Sequence, residues 1–175
     1  MTRYAAFLRG VNVGGVNLKM AAVAQALEAA GFGDVKTILA SGNVLLDSRA
    51  GVAAVRRTAE QALRDEFGYD AWVLAYDLDT LAEISAAYPF EREVEGHHSY
   101  VTFVSDEGDV LRELAALAED PGPGEKIESG TGVIYWQVPR ASTLGSTMGK
   151  TMGRKRFKSS TTTRNLRTID KVLRG

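Results

Sequence analysis

The stretch Asp34-Val35-Lys36-Thr37-Ile38-Leu39-Ala40-Ser41-Gly42-Asn43-Val44-Leu45-Leu46-Asp47 decides the fold. Two short apolar runs flank a Gly-Asn pair, which is a hairpin signal. Strands are predicted over 34–40 and 43–47. A helical pattern lies on each side. Upstream, Met20, Val23 and Leu27 share one face over 20–30, and Gly31 stops the helix. Downstream, Val52, Val55, Ala59, Leu63 and Phe67 recur at helical spacing over 52–67. Arg56, Arg57, Glu60, Arg64 and Asp65 face water there, Glu60 and Arg64 form an i,i+4 pair, and Gly68 ends the run. Outside the helices, residues 3–9 and 71–76 are apolar and read as strands. The order is βαββαβ, the ferredoxin-like split-βαβ pattern, with one sheet covered on one face by two helices.

The second half echoes the first. Asp77 caps a helix bearing Leu78, Leu81, Ile84 and Tyr88, ended by Pro89. A charged loop follows over 91–96, then a strand over 99–105. Asp106 caps a helix with Val110, Leu111, Leu114 and Leu117. Residues 125–129 and 133–138 pair across Gly130-Thr131-Gly132. After a Ser/Thr/Gly stretch and a basic stretch, a last helix is predicted over 163–173. The reading is an α+β protein. A ferredoxin-like βαββαβ subdomain spans 1–76. A permuted or incomplete second α+β half, with a basic C-terminal helix, spans 77–175.

The chain has 175 residues, 45% of them hydrophobic and 25% charged, a balance that builds a core without staples. It has no Cys, which excludes disulfides, thiolate nucleophiles and Cys-ligated metals. The apolar runs are too short to span a membrane, and the first ten residues hold no signal-peptide core. A cytoplasmic protein is expected, with no membrane partner. The net charge of −1 hides an asymmetry. Residues 140–175 hold ten cations and one anion, a local charge of +9, against −10 for the remainder. Two readings stand: an anionic partner, or a basic end that complements the protein's own acidic body.

Four polar clusters are candidate sites. The loop Arg9-Gly10-Val11-Asn12-Val13-Gly14-Gly15-Val16-Asn17 follows a strand and precedes a helix, where glycines let backbone N–H groups converge on an anion. Its spacing matches neither GxGxxG nor a P-loop, and a plain βα loop also accounts for it. Ser41-Gly42-Asn43 is explained as a tight turn and matters only beside another polar loop. Gly145-Ser146-Thr147-Met148-Gly149-Lys150-Thr151 falls one residue short of a Walker A spacing and is read as coincidence. Ser159-Ser160-Thr161-Thr162-Thr163-Arg164-Asn165-Leu166-Arg167-Thr168 places hydroxyls at a helix start, with Arg164, Arg167 and Lys171 on one face. That suits a phosphate or carboxylate, or simply an N-cap with solvated charges. His97 and His98 are adjacent and point to opposite faces of a strand, so no metal site is expected, and no cofactor. Glu91, Glu93 and Glu95 read as an exposed acidic loop.

The motifs Tyr4-Ala5-Ala6-Phe7-Leu8-Arg9-Gly10-Val11-Asn12-Val13-Gly14-Gly15, Ser41-Gly42-Asn43-Val44 and Thr162-Thr163-Arg164-Asn165 with Thr168 resemble the domain-of-unknown-function 1697 family. So do Met20 opening a helix and Gly31-Phe32 with Val35 to Thr37. Leu166 departs from the aromatic residue expected there. The resemblance implies a bacterial cytoplasmic protein with a tandem arrangement related to the ferredoxin-like fold, and brings no activity or cofactor. Its polar and glycine positions are Arg9, Gly10, Asn12, Gly14, Gly15, Ser41, Gly42, Asn43, Thr163, Arg164, Asn165 and Thr168. All but Gly10 are taken as ligand-binding candidates that line one polar cleft. The expected ligand is an anionic small molecule, a nucleotide or nucleic acid. The alternatives are an enzyme acting on a phosphorylated or carboxylated small molecule, and an interaction or oligomerising module that uses sheet edges. Strand aromatics such as Tyr4, Tyr100 and Trp136 are read as core rather than as base-stacking platforms.

Overall fold

The computed structural model describes residues 1–9, 11, 17–105, 108–152, 154, 157 and 160–175. The first elements are β1 (Thr2–Arg9), α1 (Met20–Ala29), β2 (Gly33–Ile38), β3 (Asn43–Ser48), α2 (Val52–Phe67), β4 (Trp72–Asp77) and α3 (Leu78–Ala86). Then follow β5 (His97–Val104), α4 (Asp109–Ala115), β6 (Lys126–Ser129), β7 (Val133–Pro139), α5 (Thr147–Met152), β8 (Thr161–Asn165) and α6 (Leu166–Arg174). The chain divides into two units, Met1–Ala82 with Lys171–Gly175, and Glu83–Asp170. Each carries a four-stranded antiparallel sheet with helices, so the α+β class holds in both.

In the first unit the strands lie in the order β2-β3-β1-β4. Each βαβ element is therefore split by one strand: β3 separates β1 from β2, and β1 separates β3 from β4. Tyr4, Ala6 and Leu8 join a buried cluster with Val23 and Leu27 of α1 and with Val55, Ala59 and Leu63 of α2. Fully burying a Leu or Val contributes roughly 1.5–3 kcal/mol, so these helix faces fix the register. Gly68 closes α2 with φ 65° and its N–H on the Arg64 carbonyl at 2.9 Å.

Three details of α2 differ from the sequence reading. Glu60 is buried, not solvated, and its Oε2 accepts the Val73 N–H at 2.9 Å and pairs with Arg56 at 3.4 Å. Val73 lies on an edge strand, whose buried N–H needs an acceptor. Arg64 turns instead to the Ala71 carbonyl at 2.8 Å and the Trp72 ring at 5.0 Å. Val52, at the first turn, stays exposed.

Tyr69 packs against this core with its hydroxyl buried and unpartnered among the described residues. Burial pushes its pKa up to about 12, from an ordinary value of about 10. A raised folded-state pKa contributes stability that is complete below the unfolded value and lost as pH rises through the folded one. Stability should therefore fall between about pH 10 and about 12. Tyr69→Phe removes the orphan hydroxyl, so at pH 7 it is expected to be neutral or stabilising. Urea midpoints at pH 7 and in the alkaline range check this: the wild type should lose more than the variant. An equal alkaline loss in both proteins contradicts it.

In the second unit the order is β6-β7-β5-β8. The α+β class stands, but this half is not short of a strand. The helix expected over 163–173 begins only at Leu166, and Thr161–Asn165 is a strand paired with β5, Thr102 opposite Thr163. Three consecutive Thr residues are β-branched, and they fit a half-buried pleated surface better than a helix start. Arg164 thus stands on a strand and does not share a helical face with Arg167 and Lys171. The Ser/Thr/Gly stretch holds a further short helix, α5. The cap expected at Asp106 lies outside the described residues. With β8 and α5 in place, each half reads βαββαβα, with the same strand order across its sheet.

Trp136, Ile134, Val138 and Val104 pack on one sheet face with Leu114, Met148 and Phe157. Trp136 Nε1 donates to Thr102 Oγ1 at 3.0 Å, and Thr102 and Thr163 join their hydroxyls at 2.8 Å. Three strands are thereby cross-linked through one buried hydroxyl. On the opposite face Tyr135 meets Tyr88 edge-on at 5.8 Å and donates to the Ile84 carbonyl at 2.6 Å.

Candidate functional site

The candidate residues of the first unit are Arg9, Ser41, Gly42 and Asn43; Asn12, Gly14 and Gly15 lie outside the described residues, as does Gly10. The Ser41–Asn43 turn sits beside the end of β1. The Gly42 carbonyl accepts the Leu8 N–H at 2.8 Å. With φ 88°, a Cβ at Gly42 would fall 2.9 Å from Leu8 Cβ and 3.4 Å from Val11 Cβ, so only glycine fits. Asn43 is fully buried, and its Nδ2 donates to the Ile38 carbonyl at 2.8 Å and to Ser41 Oγ at 2.9 Å, closing the turn. Arg9 ends β1 opposite Trp72. Its Nε is buried without a hydrogen-bond partner among the described residues, and burial lowers its pKa.

The second unit holds the other four. Thr163 spends its hydroxyl on Thr102. Arg164 is buried, donating from Nη1 to Thr162 Oγ1 at 2.7 Å and to the Thr163 carbonyl at 3.0 Å. Asn165 and Thr168 instead line a cavity of about 480 Å³ at the end of the sheet. There β5 begins, β7 runs out into Arg140, and β8 passes into α6. His97, His98, Arg140 and Arg167 share this cavity, and Arg164 does not line it.

The register explains the convergence. His97 pairs with Pro139, next to Arg140, and Tyr100 pairs with Asn165. Three chain segments therefore deliver polar side chains to one sheet end. At the first residues of a strand, His97 and His98 both reach the open end although they alternate in direction. Arg140 is exposed and makes no ion pair among the described residues. Arg167 stands 4.0 Å from Glu93, with both side chains mostly in water, a loose pair. Arg92 is committed: it pairs with Asp170 at 2.7 Å and donates to the Ser85 carbonyl at 2.9 Å. Three arginines against two carboxylates leave a net positive lining. Glu93 lines the cavity with φ 56°, a left-handed backbone that L residues seldom adopt and that concentrates at functional sites.

The first unit supplies an internal comparison. Tyr4 pairs with Asp77 as Tyr100 pairs with Asn165, and each Asx residue opens a helix with a Thr three positions on. In the first unit the cap is a carboxylate. Asp77 Oδ1 accepts the Thr80 N–H at 2.8 Å, and Oδ2 accepts the Thr80 hydroxyl at 2.9 Å. The hydrogen bond donated by the Thr80 backbone N–H holds the Asp77 carboxyl below its usual range. A negative charge already occupies that helix start. In the second unit the cap is neutral: Asn165 Oδ1 accepts the Arg167 N–H at 2.9 Å. Among the described residues the start of α6 carries no carboxylate cap, and it shares the cavity with Arg140 and the loosely paired Arg167.

The near-Walker stretch is closed to a phosphate. Glu125 Oε1 accepts the Thr147 N–H at 2.6 Å, so a carboxylate already sits at the start of the six-residue α5. Among the described residues no group of three or more His, Cys, Asp or Glu side chains is arranged to hold a metal ion, and no helix is long and apolar enough to cross a membrane.

The fold and site together define a protein of two tandem split-βαβ units with a cationic cavity in the second. The chain belongs to the family of proteins of unknown function DUF1697, whose model matches residues 1–135. It is similar in structure to the conserved bacterial protein SP0830 from Streptococcus pneumoniae, with a TM-score of 0.79 at 24% identity over 99% of this chain and 97% of that one. No curated protein matches the chain. The structural likeness extends across both units and speaks to the fold.

Proposed function

We propose that the protein binds a small molecule bearing a phosphate or carboxylate group in the second-unit cavity. The observation that carries this reading is the gathering of Arg140, Arg167 and the neutral-capped start of α6 around one space of about 480 Å³. That size falls in the range of small-ligand sites. Helix-start N–H groups and guanidinium donors match an oxyanion, and charge-assisted bonds are the strong ones. In this reading Asn165 and Thr168, which line the cavity, contact the ligand, while Thr163 and Arg164 serve the framework of β8. A small ligand is favoured over nucleic acid, because Tyr4, Tyr135 and Trp136 are buried in cores, while the half-buried Trp72 and Tyr100 are covered by Arg64 and stacked on Trp136.

Calorimetric titration with inorganic phosphate at low ionic strength tests it. The wild type should bind one equivalent, with affinity falling as salt rises. Arg140→Ala should weaken binding about tenfold, the worth of one charge-assisted contact. Equal binding by Arg140→Ala and wild type would remove Arg140 from the site and sink the assignment.

A further inference from the structure

We infer that the ligand carries hydroxyl groups next to its anionic group, as a sugar or polyol phosphate does; this rests on the anion-binding reading above. Two residues in the cavity have no use for a bare oxyanion. The first is His97. Its Nδ1 lies 3.0 Å from the Glu95 carbonyl oxygen. A carbonyl only accepts, so Nδ1 carries the hydrogen, and in the neutral ring Nε2 is left as an acceptor. A lone pair turned toward an oxyanion repels it, whereas a hydroxyl beside that oxyanion satisfies it. The second is Glu93. A carboxylate lining an anion site lowers its affinity unless it too receives a donor. Glu93 lines the cavity from a left-handed backbone, φ 56°, and Arg167 engages it only at 4.0 Å through solvent-exposed atoms. Its oxygens thus have capacity left for ligand hydroxyls. Cations for the oxyanion and acceptors for hydroxyls therefore occur together, with His97 one register step from Arg140.

The test compares two probes of equal charge type, methyl phosphate and ribose 5-phosphate, by calorimetry near pH 8 with the full chain. Ribose 5-phosphate should bind about tenfold more tightly, the gain of one or two hydroxyl hydrogen bonds. His97→Ala should shrink that ratio toward one, and His97→Gln, which restores an acceptor, should recover part of it. A merely structural role for His97 would weaken both probes alike and leave the ratio intact, which contradicts the inference. If the wild type binds both probes equally, the hydroxyl inference falls and the anion site stands. If it binds neither, the anion site falls and takes this inference with it.

Discussion

Trp136→Ala is expected to destabilise the second unit by about 3–5 kcal/mol, the range for deleting a large buried aromatic. Trp136 is 2% exposed, stacks on Tyr100 at 4.5 Å, and donates to a Thr102 hydroxyl that also reaches Thr163. Its loss opens a cavity and slackens the link among β5, β7 and β8, the three strands that set up the sheet end. Trp136→Phe keeps much of the volume and forfeits the N–H, so it should cost less; a single net hydrogen bond is worth about 0.5–1.5 kcal/mol. Urea denaturation followed by circular dichroism checks both. In Trp136→Ala the remaining tryptophan is Trp72, which lies in the first unit and reports on that unit by fluorescence. A change below about 1 kcal/mol in the Ala variant would show that Trp136 is not the centre of this core.

The second large effect concerns the ligand. Asn165→Asp gives α6 the cap chemistry of α3. Asn and Asp are comparable N-caps, so stability should hold or rise slightly. Phosphate affinity, however, should fall about 100-fold, because a carboxylate would compete for the helix start and for Arg167 and would repel the anion. Opposite signs in the two measurements separate loss of the site from loss of the fold. Unchanged phosphate affinity in a folded Asn165→Asp variant would mean that the start of α6 does not face the ligand.

Much of the fold is legible because local signals and burial agree. The hairpin around Gly42, the helix stops at Gly31 and Gly68, and the apolar faces of α1 and α2 all point one way, and the first unit follows them. The second half misleads at Thr161–Asn165. Hydroxyl residues serve both helix caps and strands, and what decides here is pairing with β5, fifty-seven or more positions earlier, which local pattern does not carry. That one strand conceals the repeat. Once it is placed, Tyr4 and Asp77 correspond to Tyr100 and Asn165, a relation between halves that share little sequence.

The site is legible only in part. Asn165 and Thr168 stand out as polar positions beside a helix start. Arg140 does not, because it begins a basic run without a motif of its own. The adjacent histidines mislead through the alternation rule, which keeps neighbours apart along a strand but not at its open end. Arg164 draws attention as a cation at an expected helix start, yet it is buried on β8 and bonded to Thr162 and the Thr163 carbonyl. Glu60 shows the same limit in the first unit: helical periodicity gives it a solvated face, and an edge-strand N–H draws it inward.

The most direct test of the central claim is a titration of the isotope-labelled protein with inorganic phosphate, followed by amide NMR shifts at low ionic strength. Saturable shifts are expected at residues 165–168, at 97–99 and at Arg140, reversed by salt. Saturable shifts confined to other parts of the chain, or no saturable shifts at all, would contradict an anion site at the start of α6.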